Sequence, residues 1–294
     1  MKKLIIYYNY GEGIGDTLIS IYDILSLNNF IREEHPNITT ELHINYVRPG
    51  DNLPYMLNIP FLRSCFKNVT FNRGLLINNG SLKIGDLEYI RLFSCNNPNV
   101  NNSIPGCFDV FCSKQDKLFL SNLSINYSDF VYSLSSSNVI DFPILNNQVF
   151  KDANKFVSAE FTEDFEAIFY REFKTVNRPS IDKFIELLIP KLDKSKKYFF
   201  CSNSLEVKSI FDDLDFNFTY FRPIDKHPSD RVPDGFSPFK EDMYYALGDM
   251  IVMSKASKIY SGISRMHQSL FTFYCSSVKN VPVEFIPAFE LTRI

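Results

Sequence analysis

The stretch YYNYGEGIGDTLISIYDIL, Tyr7 to Leu25, decides how the chain is read. Before it, KLIIYYN is a short unbroken apolar run closed by Asn and Gly, the pattern of a strand buried in a parallel sheet. After the glycines, residues Asp16 to Leu27 keep Leu18, Ile19, Tyr22, Ile24, Leu25 and Leu27 at helical spacing, which predicts a helix packed on that sheet. ELHINYV then reads as a second strand, so the chain opens as β-α-β. Gly11, Gly13 and Gly15 are spaced G-x-G-x-G, which is not the dinucleotide fingerprint G-x-G-x-x-G. A turn that needs positive φ explains them. The functional alternative is close approach of the backbone at Gly13 and Gly15 to an acceptor or a phosphate. Asp16 has two readings as well. It caps the helix, a role worth about 1 kcal/mol, or it takes a proton from an acceptor hydroxyl.

The second half continues the alternation of strands and helices. Glu166–Tyr170 predicts a strand, and Ser180 opens a helix with Ile181, Phe184, Ile185 and Leu188 on one face, limited by Pro190. KKYFFCSN is a strand, Leu205–Leu214 a helix and FNFTYF a strand. A polar, proline-rich loop carrying Lys226, His227 and Arg231 follows, then the helix of KEDMYYALGDMIVMSKA. Ser257–Ser261 is a short strand, and Ser264 starts a last helix. Such an order argues for doubly wound parallel sheets. The middle, from about Arg48 to Asn147, is rich in Asn, Ser and Pro and has only short apolar stretches such as FDVFC, with DFVYSL as a further strand. SSSNVIDFPILNN reads as a connector, which divides the chain into residues 1–145 and 146–294. The fold class expected is α/β, two Rossmann-like domains whose ligand edges face each other across a cleft.

Bulk properties exclude more than they identify. The 294 residues carry 31 basic and 34 acidic side chains, a formal net charge of −3, so a nucleic-acid partner is not expected. Cys65, Cys95, Cys107, Cys112, Cys201 and Cys275 form no C-x-x-C pair, and four histidines are few to complete a metal site. No structural zinc and no other metal is expected, and the thiols suit a reducing compartment. The lysines of MKKLIIYYNYGEG precede an apolar run too short for a secretory leader, and no stretch reaches the length of a membrane span. The expectation is a cytoplasmic protein with at most peripheral membrane contact at the inner face.

Three motifs, taken in order, resemble GT-B glycosyltransferases. GIGDTLISIYDIL is similar to the N-terminal signature of bacterial heptosyltransferases, in which a Gly-Asp pair opens the first helix; it maps to Gly15 and Asp16. DMIVMSKASKIYSGISRMHQSLF resembles the donor-binding motif of heptosyltransferases and fucosyltransferase-like enzymes, through Asp249, Ser254-Lys-Ala256, Ser261-Gly-Ile-Ser264 and Met266-His267. AIFYREF followed by KKYFFCSNSLEVKSIF is similar to the fucosyltransferase-like pattern of a strand ending His-x-Arg and a later strand ending Thr-Asp. Arg171 keeps the arginine there, Phe169 stands in place of the histidine, and Ser202-Asn203 in place of Thr-Asp. The likeness covers about the first 30 and the last 130 residues.

What the resemblance implies is a nucleotide-sugar donor and a glycan or glycolipid acceptor, with no cofactor, in bacterial surface polysaccharide synthesis such as lipopolysaccharide or capsule. Asp16 would be the base of an inverting, metal-independent transfer. Arg171, Ser202, Asn203, Ser261, Gly262, Ser264 and His267 would hold the donor. Each of these has a structural reading beside the functional one. Arg171 suits a salt bridge as well as a diphosphate. Ser264 suits a helix cap as well as a phosphate-binding helix N-terminus. His267 suits a partly buried polar residue as well as a phosphate or sugar contact. The losses at Phe169 and Asn203 motivate the alternative of a non-catalytic GT-B-like subunit that binds a sugar or a partner. A methyltransferase led by GEGIGD is a weaker third reading, because the strand before it ends in Tyr-Asn-Tyr and not in Asp.

Overall fold

Lys2–Tyr10 forms β1, and its neighbour in space is β2, Ile38–Tyr46, in parallel register from Lys2↔Ile38 to Tyr10↔Tyr46. In the computed structural model the residues described are 2–10, 21, 24, 25, 27–33, 35–46, 57–73, 88–93, 107–112, 145, 147–171, 180–222, 240–262, 272, 275, 276 and 279–288. They divide into two compact units, Met1–Asn146 and Asn147–Ile294.

The first unit continues with helix α1 (Ile59–Cys65) and strands β3 (Asn68–Arg73), β4 (Glu88–Phe93) and β5 (Cys107–Cys112). Its sheet order is β3-β2-β1-β5-β4. Here the expectation of a parallel sheet is corrected. β1, β2 and β3 are parallel, whereas β5 runs antiparallel to both β1 and β4. Residues 27–33 are helical, so the first helix outlasts the apolar spacing that ended at Leu27. Asn28 does not break it, because its side chain is buried and satisfied: the Thr40 hydroxyl donates to its carbonyl and its amide donates to Cys65 O at 3.0 Å. A buried amide whose hydrogen bonds are made need not interrupt a helix. The middle segment's α1, β3 and β4 had no clear sequence signal. Asn58 caps α1 by accepting from the Phe61 N–H, and Pro60 sits where its missing N–H has no cost. DFVYSL lies outside the described residues.

The second unit matches its sequence reading more closely. It contains α2 (Asn147–Glu160), β6 (Glu166–Tyr170), α3 (Ile181–Leu188), β7 (Lys197–Ser202), α4 (Leu205–Asp212), β8 (Asn217–Thr219), α5 (Lys240–Met253), β9 (Lys258–Gly262) and β10 (Val283–Ile286). Pro190 falls in a 3-10 turn, Ile189–Lys191, that ends α3. All five strands are parallel, in the order β8-β7-β6-β9-β10. This is the 3-2-1-4-5 order of a doubly wound, Rossmann-like sheet.

Alternation along the strands sends side chains to two faces. Ile168, Tyr170, Tyr198, Phe200 and Tyr260 pack with Phe184 and Leu188 of α3 and Val207 and Phe211 of α4. On the other face Phe199 meets Phe156 of α2, and α2 packs on α5. Tyr244 of α5 donates to Asp152 of α2 at 2.6 Å. The helix α2 and the edge strand β10 were not anticipated. The spacing of Val149, Ala153 and Phe156 carries the helical signal of α2, and Pro282 and Pro287 flank β10 at an edge, where proline is tolerated.

Glu284 on β10 accepts from Lys191 at 2.7 Å and from Lys258 at 2.6 Å. These two ammonium groups hold its carboxyl below the ordinary range, the Lys191 hydrogen bond being the largest effect. A carboxylate depressed in the folded state stabilises above its unfolded value, and that contribution is lost as pH falls through the folded value. Glu284→Gln is therefore expected to lower the melting temperature at pH 7 slightly, by at most about 1 kcal/mol of stability for so exposed a pair. The difference from the parent should close at acid pH; melting curves from pH 7 to pH 3 measure it.

Candidate functional site: the carboxyl edge of the second sheet

A parallel sheet brings all its strand ends to one edge. In the second sheet Tyr170 pairs with Ser202, Phe169 with Ser261, and Gly262 with Ile286. Arg171, the Ser202–Ser204 turn and Ser261-Gly262 therefore leave three adjacent strands side by side. Strand order reverses between β6 and β9, and ligands of such sheets bind outside the strand ends at that switch point. Arg171 directly follows β6 on one side of the switch and Gly262 ends β9 on the other.

Five of the donor-side candidates thus share one edge, each in a distinct setting. Arg171 is half-buried and follows the last residue of β6. The Ser202 hydroxyl is buried and accepts from the Ser204 N–H at 3.2 Å, so it serves the turn into α4. Asn203 is exposed at that turn, and Ser204 caps α4 by accepting from Val207 N–H at 3.4 Å. Ser261 is buried. A Cβ on Gly262 would lie 3.1 Å from the Tyr170 ring and 3.2 Å from the Phe184 ring, so glycine there lets both rings close on the strand end. Phe169, at the position of the motif's histidine, is buried in the core. Ser264, His267, Gly13, Gly15 and Asp16 lie outside the described residues, as do Lys226, His227 and Arg231.

A cluster that sequence reasoning missed, apart from Asp249, lies behind this edge. Cys201, Lys208, Arg222 and Asp249 come from β7, α4, the chain just past β8, and α5, and all four are buried. Lys208 donates from Nζ to Arg222 O at 3.1 Å and lies 5.1 Å from the Tyr220 ring centre. The Arg222 guanidinium lies over Tyr245 at 5.2 Å. The Asp249 carboxylate is buried near the Cys201 thiol, and its Oδ1 makes no hydrogen bond. Burial pushes the Asp249 carboxyl up, against the pull of Lys208 and Arg222. Burial likewise pushes the Lys208 ammonium down, against the pull of Asp249. Gly248, next to Asp249, lets the Phe221 ring lie on α5, since a Cβ there would fall 1.8 Å from a ring carbon. The cue in the sequence was a lysine at position 208, beside Val207 on the apolar face of a short amphipathic helix.

In the first unit, a polar band crosses β1, β2 and β3. Lys3 pairs with Glu41 at 2.8 Å, Tyr7 stacks on His43 at 4.8 Å, and Thr70 hydrogen-bonds His43 Nδ1 at 2.7 Å. The Asn72 amide donates to Asn45 Oδ1 at 3.1 Å. Glu41 stands 3.6 Å from His43 Nε2, within ion-pair range but forming no hydrogen bond, and burial pushes the imidazole pKa down, which favours its neutral form. Among the described residues no group of three metal-ligating side chains stands together, and no helix is long and apolar enough to cross a membrane.

No family model and no curated protein matches the chain. Solved structures similar to it include the fucosyltransferase NodZ from Bradyrhizobium, at 14% identity and TM-score 0.47 over 95% of this chain and 93% of that one. POFUT1 in complex with GDP-fucose is similar at 12% identity and TM-score 0.45, over 97% and 98%. NodZ α-1,6-fucosyltransferase co-crystallised with GDP is similar at 13% identity and TM-score 0.42, over 95% and 93%. Likeness at this level fixes neither fold nor chemistry.

Proposed function

We propose that the chain is a glycosyltransferase of GT-B type. The observation that carries this reading is the 3-2-1-4-5 parallel sheet of the second unit, with Arg171 and Ser261-Gly262 on either side of its switch point. A guanidinium there suits a diphosphate, which accepts two N–H bonds from one planar fork. Ser264 and His267 follow β9 closely in sequence. At a helix N-terminus they would add N–H groups and dipole to the same phosphates. These positive groups stabilise the nucleoside diphosphate as it leaves, so no metal is needed for that step. Asp16, six positions past the end of β1, takes the proton of the acceptor hydroxyl, and an attack opposite the leaving group inverts the sugar centre. The acceptor in this reading is a glycan or glycolipid of a bacterial surface polysaccharide.

A second reading rests on Phe169. A buried phenyl ring at the motif's histidine removes one polar donor contact, as expected for a subunit that binds a sugar or a partner and transfers nothing. Incubation with a panel of GDP-, UDP-, CMP- and ADP-sugars, with and without EDTA, separates the two. Donor turnover that survives EDTA is the expected result. Saturable binding without turnover supports the second reading, and a loss that Mg²⁺ restores overturns the account of leaving-group stabilisation.

A further inference from the structure

A lysine with its side chain wholly buried needs a reason, because an ammonium removed from water is costly unless it is held by several partners. Lys208 stands on α4, whose Val207 and Phe211 belong to the apolar cluster on one face of the sheet. Its ammonium shares the electrostatic field of Cys201 and Asp249 on the opposite face. It also donates to the carbonyl of Arg222, where the chain has just left β8. Lys208 thus ties together two things at the carboxyl edge. The first is the helix whose capped N-terminus follows Ser202-Asn203. The second is the backbone at Arg222, whose guanidinium lies on Tyr245. An apolar side chain would fill the space, but it would leave the Arg222 carbonyl without this donor and Asp249 without one of its two nearby cations.

We propose that Lys208 is a positioning residue for nucleoside diphosphate binding: its hold on the Arg222 carbonyl fixes the ends of β7 and β8 relative to each other. It touches no ligand itself and acts through the Ser202–Ser204 turn and the chain at Arg222. The inference rests on the reading of the second unit as a donor domain.

The test is calorimetric titration of nucleoside diphosphates into the full chain and its variants, well below their melting temperatures. Lys208→Met is expected to bind about tenfold more weakly, the size of effect of residues that act through packed neighbours. Lys208→Arg, which keeps the charge and the donor, should recover most of that loss. A purely structural lysine would lower the melting temperature and leave affinity per folded molecule unchanged; that result for folded Lys208→Met overturns the proposal. If Lys208→Met does not fold, Lys208→Gln replaces it, and parental affinity in that variant overturns the proposal equally. If the parent binds no nucleoside diphosphate, the donor-domain reading fails first, and the parent alone reveals it.

Discussion

Asp16→Asn is expected to leave a folded protein with little activity. The substitution keeps side-chain size, and Asn caps a helix about as well as Asp, so the melting temperature should hardly move. An amide cannot accept the acceptor's proton. General-base catalysis typically contributes ~10²–10⁴-fold, and turnover should fall by that order. Donor affinity should stay near the parental value, because the proposed diphosphate contacts, Arg171 among them, lie in the other unit. Turnover, melting temperature and nucleotide affinity on one preparation separate the roles. A variant that melts early but turns over normally per folded molecule makes Asp16 a cap and nothing else.

Arg171→Ala is expected to produce the complementary pattern. The residue follows β6 at the switch point and is half-buried, so its removal leaves the strand's own apolar contacts in place. Charge-assisted hydrogen bonds are worth about 1.5–3 kcal/mol, which is roughly a ten- to hundredfold loss of diphosphate affinity. The loss should be larger for nucleoside diphosphates than for nucleosides, since it concerns phosphate and not base. Unchanged affinity in a folded variant assigns Arg171 to a structural ion pair and moves the donor site elsewhere.

The second unit was legible because its signals agree at every level. Ala167–Tyr170 is an unbroken apolar run, Ser180 caps the helix after it, and KKYFFCS has five buried residues in a row. Parallel strands covered on both faces read in that way. The first unit was harder for a physical reason. β4 and β5 pair antiparallel at the side of the sheet, and strands such as EYIRLF and NVTFNR mix polar with apolar residues. Glu41, His43 and Asn45 on β2 pair with Lys3, Thr70 and Asn72 of neighbouring strands, pairings that a single strand's sequence cannot display. The edge residues Arg171, Ser202 and Ser261 were found through motif order. Lys208 and Arg222 were not, because they meet only after α4, β8 and α5 have packed.

The central claim is that the carboxyl edge of the second sheet holds a nucleoside diphosphate. Thermal melting of the full chain with GDP, UDP, CDP and ADP, each at several concentrations, tests it most directly. A ligand that binds the folded state raises the melting temperature by mass action, by about 2.7 kcal/mol of stability at a hundred times its dissociation constant. One of the four is predicted to give a saturable rise that Arg171→Ala diminishes. Four flat titrations, with the protein folded and melting cooperatively, would contradict the account.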